Sequence, residues 1–255
     1  MEQAAKFEEV SIALPEPLQG LDSVRAVVGI PEWWPTGSRV AVAIAHDAGS
    51  NLDDPLVTAI HHHLTMRKFL TIRFNFPFAE NGGPASDDSA DVLEKAYRAA
   101  LSILGRDATA APAHLFLGGI GLGARVSARL AATRLRIDGL FLLGYPLHPP
   151  GQPEAPQPDH LYRMVPPMLF VQGTEDPTCD LGALRRCLSR VGATTSLAVL
   201  EGADRGLETP PPPATLSVES DDEAFKVGPA PEPASQSVVA DTVARWMEKI
   251  LTGSP

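Results

Sequence analysis

With 255 residues, 44% of them hydrophobic and 20% charged, the chain can bury one large core, which excludes the small scaffolds that need disulfides or metal to fold. A formal net charge of −10 argues against an electrostatic grip on nucleic acid or on an anionic membrane surface. The opening MEQAAKFEEV lacks the basic flank and apolar core of a secretory leader, and no run reaches the ~18 apolar residues of a membrane span, so the expected setting is the cytoplasm.

Val10, Ile12 and Leu14 alternate, and residues 24–30 form a second β-rich run; the proline-containing stretch 15–20 between them predicts the turn of an antiparallel edge hairpin. Val40–Ala45 is continuously apolar, as in a strand covered on both faces by helices. Asp54-Pro55 then supplies a helix cap and a proline at the first helical position, followed by the stripe Leu56, Ile60, Leu64. Residues 69–74 read as a strand, Asn81-Gly-Gly-Pro84 as a break, and about 89–104 as a helix buried through Val92, Ala96, Leu101 and Leu104.

Further strands are expected at 114–120, 139–144, 168–172 and 196–200, with helices after the first and third of them. Cys179 and Cys187 are expected on one helix, where eight residues at ~1.5 Å rise set them roughly 12 Å apart, too far for a disulfide. Strands alternating with helices imply a mostly parallel sheet with helices on both faces and any site at the carboxyl ends of the strands. Residues 1–207 are expected to form the domain, completed by a helix in 236–255 that carries Val239, Val243, Trp246 and Ile250. Between them, 208–235 holds Pro210, Pro211, Pro212 and Pro213, then Glu219, Asp221, Asp222 and Glu223; so little apolar material predicts a mobile, partly polyproline insertion.

The stretch that carries function is Gly119-Ile-Gly-Leu-Gly123, where a strand turns sharply into a helix. A serine hydrolase has G-x-S-x-G at such a turn, with the nucleophile at its centre. Here the centre is Gly121. The same residues with Ala124 fit the dinucleotide fingerprint G-x-G-x-x-G/A, and Asp138 lies at the distance of a ribose-binding acid; but Asp138 precedes its strand, whereas that acid belongs at the strand's carboxyl end. A helix amino terminus without a serine could still hold an anion. His61-His62-His63 point about 100° apart on a helix and cannot converge on one ion, so no metal and no cofactor are expected. Ser127, the nearest hydroxyl, lies more than a turn into the helix and should point away from the strand ends.

The runs Ala45-His-Asp-Ala-Gly49, Ile72-Arg-Phe-Asn-Phe-Pro-Phe78, Gly118-Gly-Ile-Gly-Leu-Gly-Ala-Arg125, Gly144-Tyr-Pro-Leu-His-Pro-Pro-Gly151, Leu169-Phe-Val-Gln-Gly-Thr-Glu-Asp176 and Glu201-Gly-Ala-Asp204 resemble one family of α/β-hydrolase-like proteins. It comprises bacterial dienelactone-hydrolase-like proteins, a eukaryotic testis-expressed protein and a regulatory subunit of the NSL histone acetyltransferase complex. The resemblance implies an α/β-hydrolase fold without a large cap domain. It puts the catalytic acid at Asp176, the nucleophile at Gly121 and the base at Arg205, or at Glu223 if the insertion is realigned. No histidine follows His160, and an arginine cannot accept the proton. Asp47 stands at the first glycine of the family's His-Gly-Ala-Gly oxyanion loop, where a carboxylate would oppose a developing oxyanion.

These losses predict a non-catalytic binding or scaffold module. Its contact surface would be either the 208–235 segment or a vestigial pocket of His46, Asp47, Gly119, Gly121, Leu122 and Asp176, open to a protein or small-molecule partner. The rival expectation is a hydrolase of small esters or lactones with a water activated by His46 or Asp176, and a third is pairing with an active paralogue. His46 and His148, in loops near the strand ends, are expected to serve loop packing, Asp176 to persist as a turn or cap residue, and Trp33-Trp34 to pack an edge.

Overall fold

The computed structural model describes residues 5–34, 39–105, 111–133, 135–209 and 234–253. Eight strands form one sheet in the order β1-β2-β4-β3-β5-β6-β7-β8, with β1 (Lys6–Leu18) and β2 (Leu21–Ile30) antiparallel to their neighbours and all other pairs parallel. The central strands β3 (Val40–Ala45), β5 (His114–Ile120), β6 (Gly139–Leu143) and β7 (Met168–Gly173) are almost wholly buried, and β4 (Leu70–Phe74) lies beside them. β8 (Thr195–Leu200) is a half-covered edge. Continuous apolar runs form these strands because helices close both faces of the sheet. On one face α1 (Pro55–Met66) and α6 (Ala234–Thr252) pack through Leu56, Ile60, Leu64, Val243 and Trp246. On the other lie α2 (Pro77–Asn81), α3 (Ala90–Leu104), α4 (Leu122–Ala131) and α5 (Leu181–Leu188).

The expected strands, helices and apolar faces are present, with four adjustments. The hairpin turn is Gln19-Gly20, both with positive φ, and β1 continues through Pro15 and Pro17. An edge strand with an irregularity between Ala13 and Leu18 tolerates residues that cannot donate to a ladder. The face of α3 is turned by about one residue: Leu93, Ala96, Tyr97, Ala100 and Leu104 are buried, and Val92 and Leu101 only partly. Cys179 lies outside α5, because Asp180 caps that helix by accepting from the Ala183 N–H at 2.6 Å; both cysteines are free and buried. The segment expected to be mobile lies almost entirely, at 210–233, outside the described residues, and α6 begins at Ala234. Among the described residues no helix is long and apolar enough to cross a membrane.

The loop from α2 to α3 contains a buried carboxylate. Asp88 Oδ2 accepts from the Phe78 N–H at 2.9 Å, while Oδ1 is buried with no hydrogen-bond partner. Burial raises its pKa, against the smaller lowering by the Phe78 N–H, and neighbouring Asp87 adds to the rise. The folded chain therefore binds this proton more tightly than the unfolded chain, and the resulting stability is lost as pH rises from about 4, the unfolded value, through the higher folded one. Asp88→Asn keeps an acceptor for Phe78 and removes the charge. It is expected to raise stability at pH 7 by about 0.5–1 kcal/mol and to flatten the pH dependence above about 4, the unfolded value, measured by thermal unfolding.

Candidate functional site

The loops that follow β3, β5, β7 and β8 meet above the sheet, and the glycine turn lies among them. Gly121 links β5 to α4 at φ 51°, ψ −112°, a conformation that tolerates glycine best, and its N–H donates to Leu143 O at 2.9 Å. A Cβ at this position would lie 2.1 Å from Asp47 Oδ1 and 2.3 Å from Asp47 Cγ. The space into which a nucleophile's side chain would project is thus filled by a carboxylate from the loop after β3.

That carboxylate is held at both oxygens. The Leu122 N–H, first in α4, donates to Asp47 Oδ1 at 2.8 Å, and Arg205 Nη2 donates to Asp47 Oδ2 at 2.5 Å. Leu122 is the residue after the nucleophile position, whose N–H serves as an oxyanion donor in a working hydrolase. Here it caps an internal anion at a helix amino terminus. Asp47 and Arg205, both expected from the sequence resemblance to depart from the hydrolase pattern, form one ion pair across 158 residues of sequence. The anion that the freed helix terminus could have held is supplied by the chain itself.

This pair is partly buried, with 14% of the Asp47 and 35% of the Arg205 side chain exposed. Asp47→Ala is expected to lower stability by about 2 kcal/mol, between the values for surface and buried pairs, because it frees the Leu122 N–H and strands the guanidinium. Combined with Arg205→Ala, it should give less than the sum of the two losses in urea unfolding. Strict additivity would show that the contact contributes nothing.

The remaining expected site residues are also engaged. His46 is buried; its Nε2 accepts from the Phe76 N–H at 3.1 Å, which leaves Nδ1 to donate to Asp47 O at 2.8 Å. Burial holds its pKa below the usual value, so the imidazole is a neutral clip between the loops after β3 and β4. Asp176 Oδ1 accepts from the Thr178 N–H and hydroxyl at 2.8 and 2.7 Å, and its Oδ2 accepts from Gln172 Nε2. It closes the turn after β7. His148 accepts at Nε2 from the Asp180 N–H at 2.8 Å and bonds Pro149 O through Nδ1 at 2.9 Å, so it packs its own loop. Gly119 is buried beside Gly121, where its Cβ would meet Gly123 C at 2.5 Å.

Ser127 is buried and donates to Ala124 O at 2.9 Å, inside its own helix. Asp138 accepts from the Leu115 N–H at 2.9 Å at the amino-terminal end of β5, opposite the glycine turn. His61 is buried, and desolvation lowers its pKa to about 3. His62 stacks on Phe7, and no cluster of metal-ligating groups occurs among the described residues. Trp33 is 57% exposed and lies beside Lys68, whereas Trp34 donates to Val40 O at 3.1 Å. Glu223 lies outside the described residues. Sequence reasoning missed Gln172 and Thr178; their places on either side of Asp176, at the end of a buried strand, were the available signal.

Sheet order, strand-end loops and the glycine turn define an α/β-hydrolase architecture. The chain belongs to the alpha/beta hydrolase domain family, which it matches over residues 38–219. It is similar in structure to dienelactone hydrolase from Anabaena variabilis, with a TM-score of 0.70 and 16% identity over 96% of this chain and 97% of that one. It is also similar to Est1E from Butyrivibrio proteoclasticus, solved with ferulic acid bound, at a TM-score of 0.69 and 13% identity over 95% and 99%. A third similar structure is a serine hydrolase without lid from Xanthomonas campestris, at a TM-score of 0.57 and 20% identity over 81% and 88%. At these identities the likeness is one of fold.

Proposed function

We propose that this chain is a pseudohydrolase: a cytoplasmic α/β-hydrolase-fold module that binds or scaffolds a partner without turning over a substrate. The carrying observation is the Asp47 carboxylate at the nucleophile's place, bonded to the Leu122 N–H and to Arg205. An acyl-transfer site needs a nucleophile, a base and free oxyanion donors. Here glycine, arginine and an occupied donor stand at those positions. The rival hydrolase, working through a water activated by His46 or Asp176, is disfavoured because both ring nitrogens of His46 and both oxygens of Asp176 are already bonded. The Gly144-Tyr-Pro-Leu-His-Pro-Pro-Gly151 run supports kinship with the dienelactone-hydrolase-like branch and, through it, with the eukaryotic proteins named above.

The test is hydrolysis of short p-nitrophenyl esters by the wild type beside Asp176→Ala. Equal background rates are expected from the two proteins. Turnover by the wild type that disappears in Asp176→Ala would overturn the proposal.

A further inference from the structure

We infer that the groove between α4 and the chain connecting β6 to β7 docks an acidic peptide segment of a partner protein. This deepens the binding-module reading and rests on it. The groove, of about 390 Å³, is lined by Arg125, Arg129, Arg163 and His160, with Glu94 and Asp159 as its acidic members. Arg125 and Arg129 lie one helical turn apart on one face of α4.

Three features make this a prepared cationic surface within a chain of net charge −10. Arg125 is fixed by donating to Pro146 O at 3.0 Å and to Gln157 Oε1 at 2.5 Å, both in the connection that forms the other wall. Arg129 places only its Nε on Glu94, at 2.8 Å, and Arg163 is exposed without an ion-pair partner among the described residues. Both therefore keep donors for a bidentate carboxylate or phosphate contact.

His160 completes the surface. The hydroxyl of buried Tyr145 shares a 2.6 Å hydrogen bond with Nε2, which fixes the orientation of the ring at the groove. Burial, then Arg125 and Arg129, lower the His160 pKa to about 4 against the opposing effect of Asp159, so the arginines outweigh the nearby acid at the imidazole. An open groove lined with arginines matches recognition of acidic peptide motifs better than an enclosed small-molecule site, which is mostly apolar.

The test uses the full chain and fluorescein-labelled deca-glutamate, followed by anisotropy at low salt, with His160 imidazole resonances recorded in parallel. The wild type should bind, and the His160 signals should move. Arg129→Ala with Arg163→Ala should weaken binding by about tenfold or more, while Arg245→Ala on α6, across the sheet, should leave it within about twofold. Circular dichroism checks that each variant is folded. Three results would overturn the inference: no binding by the wild type, equal weakening by Arg245→Ala, or a His160 response to inorganic phosphate with none to the peptide. Ester turnover by the wild type that Asp176→Ala abolishes would overturn the pseudohydrolase reading and leave these binding outcomes unchanged, so the two failures are distinguishable.

Discussion

Gly121→Ser with Arg205→His is expected to stay inactive toward p-nitrophenyl esters, and turnover is expected only when Asp47→Gly is added. The double variant restores a nucleophile and a base on paper, yet the new serine's Cβ would lie 2.1 Å from Asp47 Oδ1. The same carboxylate occupies the Leu122 N–H and, once Arg205 is gone, faces the reaction without a counter-charge. Loss of one oxyanion donor typically slows acyl transfer by about 10²–10³, and an adjacent negative charge adds to that. The triple variant should therefore exceed the double by at least ~10²-fold in kcat/KM. Equal rates in two folded proteins would show that Asp47 is no obstacle.

Gly123→Ala is expected to destabilise the domain by about 3 kcal/mol or more. An added Cβ would stand 2.4 Å from Ala45 O and 2.7 Å from His46 O, both backbone atoms at the end of a buried central strand that cannot yield as a side-chain tip can. The first turn of α4 approaches β3 this closely because residue 123 has no side chain. Gly105→Ala is the matched control: its Cβ would meet nothing within 4 Å, and stability should stay within about 1 kcal/mol of the wild type. Urea unfolding of both variants measures the contrast. A loss below about 1 kcal/mol for Gly123→Ala would mean that the α4–β3 junction relaxes freely.

The fold was legible because its strongest signals are continuous and local. Val40–Ala45, short, rich in β-branched residues and continuously apolar, reads as a strand covered on both faces, and Asp54-Pro55 marks the start of α1, where Asp54 accepts from the Leu56 and Val57 N–H groups. Signals that depend on tertiary context were read less well. Pro15 and Pro17 suggest a turn until it is known that β1 is an edge. Cys179 falls into the helical spacing of α5 until Asp180 is seen to cap it.

The candidate site divides in the same way. Gly121, Asp47 and Arg205 were each visible as departures from a pattern. That two of them bond to each other at the third's expense requires β3 and β8 to bring their loops together from opposite sides of the sheet centre. Nothing local to Asp47 announces Arg205. The groove on α4 was less visible still, because its arginines come from separate stretches of an acidic chain.

The closed site also bears on how such a sequence can change over generations. Serine alone at 121 collides with Asp47, histidine alone at 205 leaves that carboxylate only the Leu122 N–H, and glycine alone at 47 strands Arg205. Each single substitution toward the hydrolase pattern is therefore expected to lower stability on its own. On the pseudohydrolase reading proposed above, the three residues act as a ratchet: reversal needs concerted change at all of them, while the outer surfaces remain free to specialise.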